Sequence, residues 1–295
     1  MDKKFEEAIV AMKASDAARF REILRRDPKL ATSRSSKSHP TLLQCVVLDA
    51  IDSPALREMV AALIDAGAEI DEPLVASCSM DNVDAAEMLL DAGAAIDGTG
   101  GWSPLEEALY WRNLRAADLL LRRGASLHNL RIAAGLGRVD VMETFFNADG
   151  SLKPEAGGIN WPWQGAREIE HSNLDSDVRR QLASKVSAWT HDRQSVIDNA
   201  LLYACMHDHI AAAEYLLKKG AHINAIADGF DFSGTALHYA ALNGHRAMVE
   251  FLLANGADPT IRDPKVSATP AGWADQGGHA ELRDFLQSDV NRSAG

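Results

Sequence analysis

The sequence predicts an all-α solenoid, a stack of repeated pairs of short helices. Three observations carry that prediction. A Gly-Ala step recurs behind a Leu-rich helical stretch, at Gly67-Ala68, Gly93-Ala94, Gly124-Ala125, Gly220-Ala221 and Gly256-Ala257, with spacings of 26, 31, 96 and 36 residues. The long spacing holds about three periods near 33. Ala and Leu dominate the apolar residues while aromatics make up only 6% of the chain, which favours closely packed helices over sheet. The stretch from Asp231 to Asp258 reads as one complete helix-turn-helix unit. Such units cannot bury their apolar faces alone, so they stack into one continuous core.

That unit sets the register for the others. Thr235 stands where an N-cap hydroxyl satisfies orphan backbone N–H groups. Leu237, Ala240 and Ala241 form a slim apolar face, and Gly244 opens the turn between the helices. Val249, Leu252 and Leu253 keep helical spacing on the second helix. Gly256 occupies the position where a left-handed residue ends a helix without a Cβ clash.

With Gly-Thr-Ala-Leu-His at 234–238, this unit resembles the ankyrin repeat, departing from its consensus at Ala236, where proline is usual. Thr269-Pro270 opens a copy 34 residues after Thr235 and restores the proline, and Gly278-His279 repeats Gly244-His245. Ser103-Pro104-Leu105 opens another, with Leu120-Leu121 before Gly124. Leu89-Leu90 and Leu216-Leu217 precede Gly93 and Gly220 in the same register. A less obvious unit runs through Ala133-Ala134 and Gly137 to Val141-Met142 and ends near Gly150. Ile23-Leu24, followed by Asp27-Pro28, resembles the second helix of an N-terminal cap. The resemblance covers about 250 residues and implies eight units, at 3–35, 40–71, 72–97, 102–128, 129–150, 196–225, 234–262 and 268–289. Finger loops between units are longest at 97–102, 225–234 and 261–268. The domain organisation expected is N-terminal repeats over 1–150, an insert over 151–195 and C-terminal repeats over 196–295.

The insert breaks the pattern. It opens with Gly, Pro and Asn, then Val178, Leu182, Val186 and Trp189 recur at helical spacing, with Asp175 or Ser176 able to cap the helix. Three of the six tryptophans, Trp161, Trp163 and Trp189, lie here. Disordered linkers are poor in tryptophan, so an ordered insert is expected. Trp161 and Trp163 either pin it to the solenoid or contact a partner.

Charge and motifs exclude several function classes. The net charge of −12 opposes the phosphate backbone of nucleic acids and could favour a basic protein partner. No apolar run approaches a membrane span, and the charged N-terminus lacks a secretory h-region. Cys45, Cys78 and Cys205 are too few and too scattered for a disulfide framework or a zinc site, which fits a cytoplasmic location. Cys78 and Cys205 share a register position with Ala241, fifteen residues before their Gly-Ala glycines, where a thiol acts as a small hydrophobe. His207-Asp208-His209 is the most metal-like cluster, but Asp208 and His209 align with Gly244 and His245, so a structural turn is expected. The resemblance implies that His238 bonds backbone groups of the next turn. Gly98, Gly100 and Gly101, like Gly157-Gly158, have no Gly-Lys-Ser/Thr behind them to make a phosphate loop. No catalytic residue, metal or cofactor is assigned.

The resemblance also implies where a partner binds. The two residues before the inter-helix Gly-His face the concave groove of ankyrin proteins. Here those pairs are Ser79/Met80, Tyr110/Trp111, Gly135/Leu136, Met206/His207, Leu242/Asn243 and Gln276/Gly277, and five of the six contain a large apolar residue. A strip of Met80, Tyr110, Trp111, Leu136, Met206 and Leu242 is expected, with His207 and Asn243 beside it and Phe230 and Phe232 extending it from a finger. An apolar strip calls for a cover or a partner. Either a protein docks there or the insert folds over it, and partial cover is expected, leaving Met80 or Leu242 exposed at the edges. The implied function is non-enzymatic: a monomeric scaffold, adaptor or inhibitor that binds another protein through the groove and finger tips. Two alternatives stay open: a small-ligand or peptide sensor using the Trp-lined groove, and an enzyme whose site draws on Glu168, His171, Asp175 and Asp177 of the insert.

Overall fold

The computed structural model describes residues 3–35, 41–99, 102–157, 192–227 and 233–293. These fall into two compact units, one through Ser126 and one from Leu127 onward. Among the described residues the only β-type pairings are two isolated bridges, Arg34 with Thr41 and Phe146 with Leu152. The architecture is all-α, and the helices come in pairs.

The first unit holds four pairs: α1 (Glu6–Lys13) and α2 (Ala17–Arg26), α3 (Leu42–Asp49) and α4 (Leu56–Asp65), α5 (Asp71–Ser79) and α6 (Val83–Asp91), α7 (Pro104–Tyr110) and α8 (Leu114–Arg122). The first helices of the pairs stack in chain order, as do the second helices. The second unit continues the scheme with α9 (Leu130–Gly135) and α10 (Val139–Thr144), α11 (Arg193–Met206) and α12 (Ile210–Lys218), α13 (Ala236–Leu242) and α14 (Arg246–Ala254), and α15 (Pro270–Gln276) and α16 (Ala280–Ser293). Helix α9 packs on α11 although the residues between their pairs are many, so the fifth pair stacks with the C-terminal ones. The insert helix expected over Val178–Trp189 lies outside the described residues.

Local chemistry explains the boundaries. Thr41 and Ser103 form reciprocal capping boxes with Gln44 and Glu106 at the starts of α3 and α7. Asp192 accepts from the Ser195 N–H at 2.8 Å and opens α11 at Arg193, ahead of the unit start expected at 196. In seven of the eight pairs the turn between helices holds one left-handed residue: Ser15, Asp81, Arg112, Gly137, Asp208, Gly244 or Gly278, with φ between 52° and 80°. Asp81 makes use of this conformation, since its carboxylate accepts from the N–H of Ala116 in the next pair at 2.8 Å.

Within each unit, side-chain bonds tie several repeats to their neighbours. Asn82 donates to the Val47 carbonyl at 2.9 Å and Asn113 to the Cys78 carbonyl at 2.7 Å. In the second unit the same position is histidine: His209 bonds the Gly135 backbone and His245 the Met206 carbonyl. Arg138, at that position in the fifth pair, instead grips Asp140 of its own helix at 2.6 Å. The fingers are joined similarly, with Asp71 accepting from Ala95 N–H, Asp97 from Ser126, Asp198 from His222 and Asn224 from Asp258. Ala and Leu are the commonest residues of the core beneath, and Leu237, Ala240, Ala241, Val249 and Leu252 are all buried as their spacing predicts.

Candidate protein-binding face

The paired positions before the inter-helix turn split into two kinds. Tyr110, Met206 and Leu242 are each the last residue of their first helix, whereas Met80, Trp111, Leu136, His207 and Asn243 are each the C-cap. Successive helical residues point about 100° apart, so the two kinds face different surroundings. Tyr110 and Met206 are buried and Leu242 is half-buried. Leu136, His207 and Asn243 are half-buried too. Met80 and Trp111 are exposed, at 46% and 40%. Phe230, Phe232, Trp161 and Trp163 lie outside the described residues.

Met80 and Trp111 occupy equivalent positions in neighbouring repeats of the first unit. Trp111 is held firmly for an exposed side chain. Its indole Nε1 donates to Glu107 Oε1 at 2.9 Å, one helical turn earlier. The other carboxylate oxygen accepts from the indole of Trp102. Glu107 is only 5% exposed, so a buried carboxylate joins two tryptophans. Tyr110 packs edge-on between them, 6.1 Å from Trp102 and 5.1 Å from Trp111 by ring centroid. Aromatic pairs in this geometry add to the area they bury.

The second unit uses its polar and aromatic groups for structure. His238 is buried; its Nδ1 accepts from the Thr235 N–H at 3.1 Å and its Nε2 lies 3.2 Å from the Ala268 carbonyl. That pairing fixes the Nε2–H tautomer, and burial holds the imidazole below its ordinary pKa. Asp263 is buried and accepts from the N–H groups of Lys265, Val266 and Ala268 and from the Trp273 indole, which shapes the last finger. His207 and His209 stack with centroids 6.5 Å apart, and burial also lowers the pKa of His209. Among the described residues no cluster of three or more His, Cys, Asp or Glu side chains could hold a metal ion. No described helix is long and apolar enough to cross a membrane. The three cysteines are free and buried.

Residues 48–148 and 170–263, well over half of the chain, match the family described as ankyrin repeats (3 copies). The chain belongs to the ankyrin-repeat family. It is also similar to a Rickettsia felis protein named for ankyrin repeats, 30% identical over 76 residues, which span 25% of this chain and 28% of that protein. Ankyrin repeats are usually non-enzymatic and typically serve protein–protein interaction.

Two residues of this ankyrin face escape a register-based search. Glu107 and Trp102 are not at the groove positions, and Glu107 reads as one more charge in an acidic chain. The available signal was spacing: a carboxylate four residues before an exposed tryptophan on one helix is within reach of its indole N–H.

Proposed function

We propose that this ankyrin-repeat chain recognises a protein partner through the face marked by Met80 and Trp111, and works as an adaptor or a stoichiometric inhibitor. The observation that carries this is the exposure of two large apolar side chains at the same register position of adjacent repeats. Soluble surfaces scatter such residues singly. Trp and Met are also the kinds of side chain that anchor interface cores. The hydrogen bond from Trp111 to Glu107 supports the same reading, because an anchor whose rotamer is already fixed loses less freedom on binding.

The test is affinity capture from the source cells with the wild-type chain and with Met80→Ala/Trp111→Ala. A partner retained by the first and lost by the second, with both chains equally folded, is the expected outcome. Partners retained equally by both would sink this reading.

A further inference from the structure

The charge of the chain is unevenly placed. Residues 41–111 hold fourteen acidic side chains and one basic one, Arg57, a local net charge of −13 against −12 for the whole protein. This stretch forms α3 to α7 and carries both Met80 and Trp111. Seven of the fourteen carboxylates are exposed. Arginines from neighbouring segments reach some of them: Arg21 pairs with Glu58, Arg34 with Glu72 and Arg123 with Asp91. Even so, the sequence through Ser126, with 15 basic and 21 acidic residues, remains net negative. Lysine is missing from this region altogether between Lys37 and Lys153.

Trp111 adds a second, local attraction for cations. An indole face attracts ammonium and guanidinium groups through its quadrupole. Here the indole N–H donates to a carboxylate oxygen of the protein rather than to water, which leaves the ring's orientation fixed. We infer that the partner segment docking on Met80 and Trp111 is basic, and that one of its arginine or lysine side chains stacks on the Trp111 indole while its apolar part covers Met80. This deepens the proposed protein-recognition role and rests on it. The long-range field draws the segment in, and the two anchors fix its register.

A phage-displayed library of random dodecapeptides, selected on the full chain, separates the two claims. The expected binders are rich in Arg and Lys and lose tenfold or more in affinity with Trp111→Ala, a hot-spot-sized effect. Their binding weakens as salt rises from about 50 to about 500 mM, which shortens the screening length severalfold. Charge reversal gives the sharper readout. Met80 is exposed, so Met80→Lys and Met80→Glu should both fold with an unchanged thermal midpoint. Met80→Lys should weaken basic peptides at least threefold more than Met80→Glu. Equal losses from the two variants would overturn the basic partner. Neutral or acidic peptides that still depend on Trp111 would overturn it too, while leaving the recognition face intact. A selection that yields no Trp111-dependent peptide would count against both.

Discussion

The imidazole Nε2 of His245 lies 3.0 Å from the main-chain oxygen of Met206, at the end of the first helix one repeat earlier. Asn82 and Asn113 make the equivalent bond in the first unit. His245→Ala should therefore cost about 1–2 kcal/mol, the usual consequence of leaving a buried acceptor unpaired. His245→Asn should restore part of that loss, since an amide at this position reaches a carbonyl near the end of the preceding first helix elsewhere in the chain. Urea denaturation of the three proteins checks the order, and an Asn variant no better than Ala would refute the shared role.

Gly256 and Gly277 should both resist substitution, for different reasons. Gly256 has φ of +91° and nothing within 4 Å of an added Cβ, so the cost is backbone strain alone. Roughly 1–2 kcal/mol is expected for Gly256→Ala and more for the β-branched Gly256→Val. Gly277 has an ordinary φ, but its Cβ would collide with the Leu242 carbonyl oxygen of the preceding repeat. Gly277→Ala should destabilise by steric displacement of a backbone. Unchanged melting of Gly256→Val would remove the reason for placing a repeat boundary there.

Cys78 and Cys205 should label slowly in the native state. Burial raises both thiol pKa values well above the ordinary cysteine value and pushes Cys45 up to about 11. Thiolate, the reactive form, is then scarce near neutral pH. Timed labelling at pH 8, read by mass spectrometry, should show Cys45 ahead of the other two. Rapid modification of Cys205 would contradict its core placement.

Acid should destabilise the second unit partly through His238. Its folded pKa is depressed by burial, so the unfolded chain takes up the proton first. The stabilising contribution is complete above the unfolded value of about 6.5 and is lost as pH falls from there toward the depressed folded value. Ring-nitrogen NMR should find a neutral Nε2–H tautomer at pH 6. A His238 that titrates at or above the free value would overturn this.

Most of the fold is legible in the sequence because its punctuation is local. A left-handed residue follows most of the helices, and Gly67, Gly93, Gly124, Gly220 and Gly256 all adopt it, with φ from 80° to 94°. Asp208 does at φ 62° what Gly244 does at 72°, as alignment of the two repeats implies. Grouping is harder to read. The fifth pair sits before the insert in sequence but packs with the repeats beyond it, through α9 on α11, a contact between residues far apart in the chain.

The candidate binding face is only half legible. Register alone puts Tyr110 beside Trp111 and Met206 beside His207, yet one residue along a helix turns the side chain through about 100°. Tyr110 and Met206 thereby join the core, while Met80 and Trp111 remain at the surface. Exposure depends on what the neighbouring repeat places opposite, which a consensus position does not encode.

The grip of Glu107 on Trp111 has a consequence for genetics. A random-mutagenesis screen for lost partner binding should return Glu107 together with Met80 and Trp111, although Glu107 is too deeply covered for any partner to touch. Releasing the indole would leave the outward tryptophan present but without its bond to Glu107. The mutational footprint of this face should extend one layer beneath its physical footprint, so a contact map drawn from such a screen would include a residue the partner never meets.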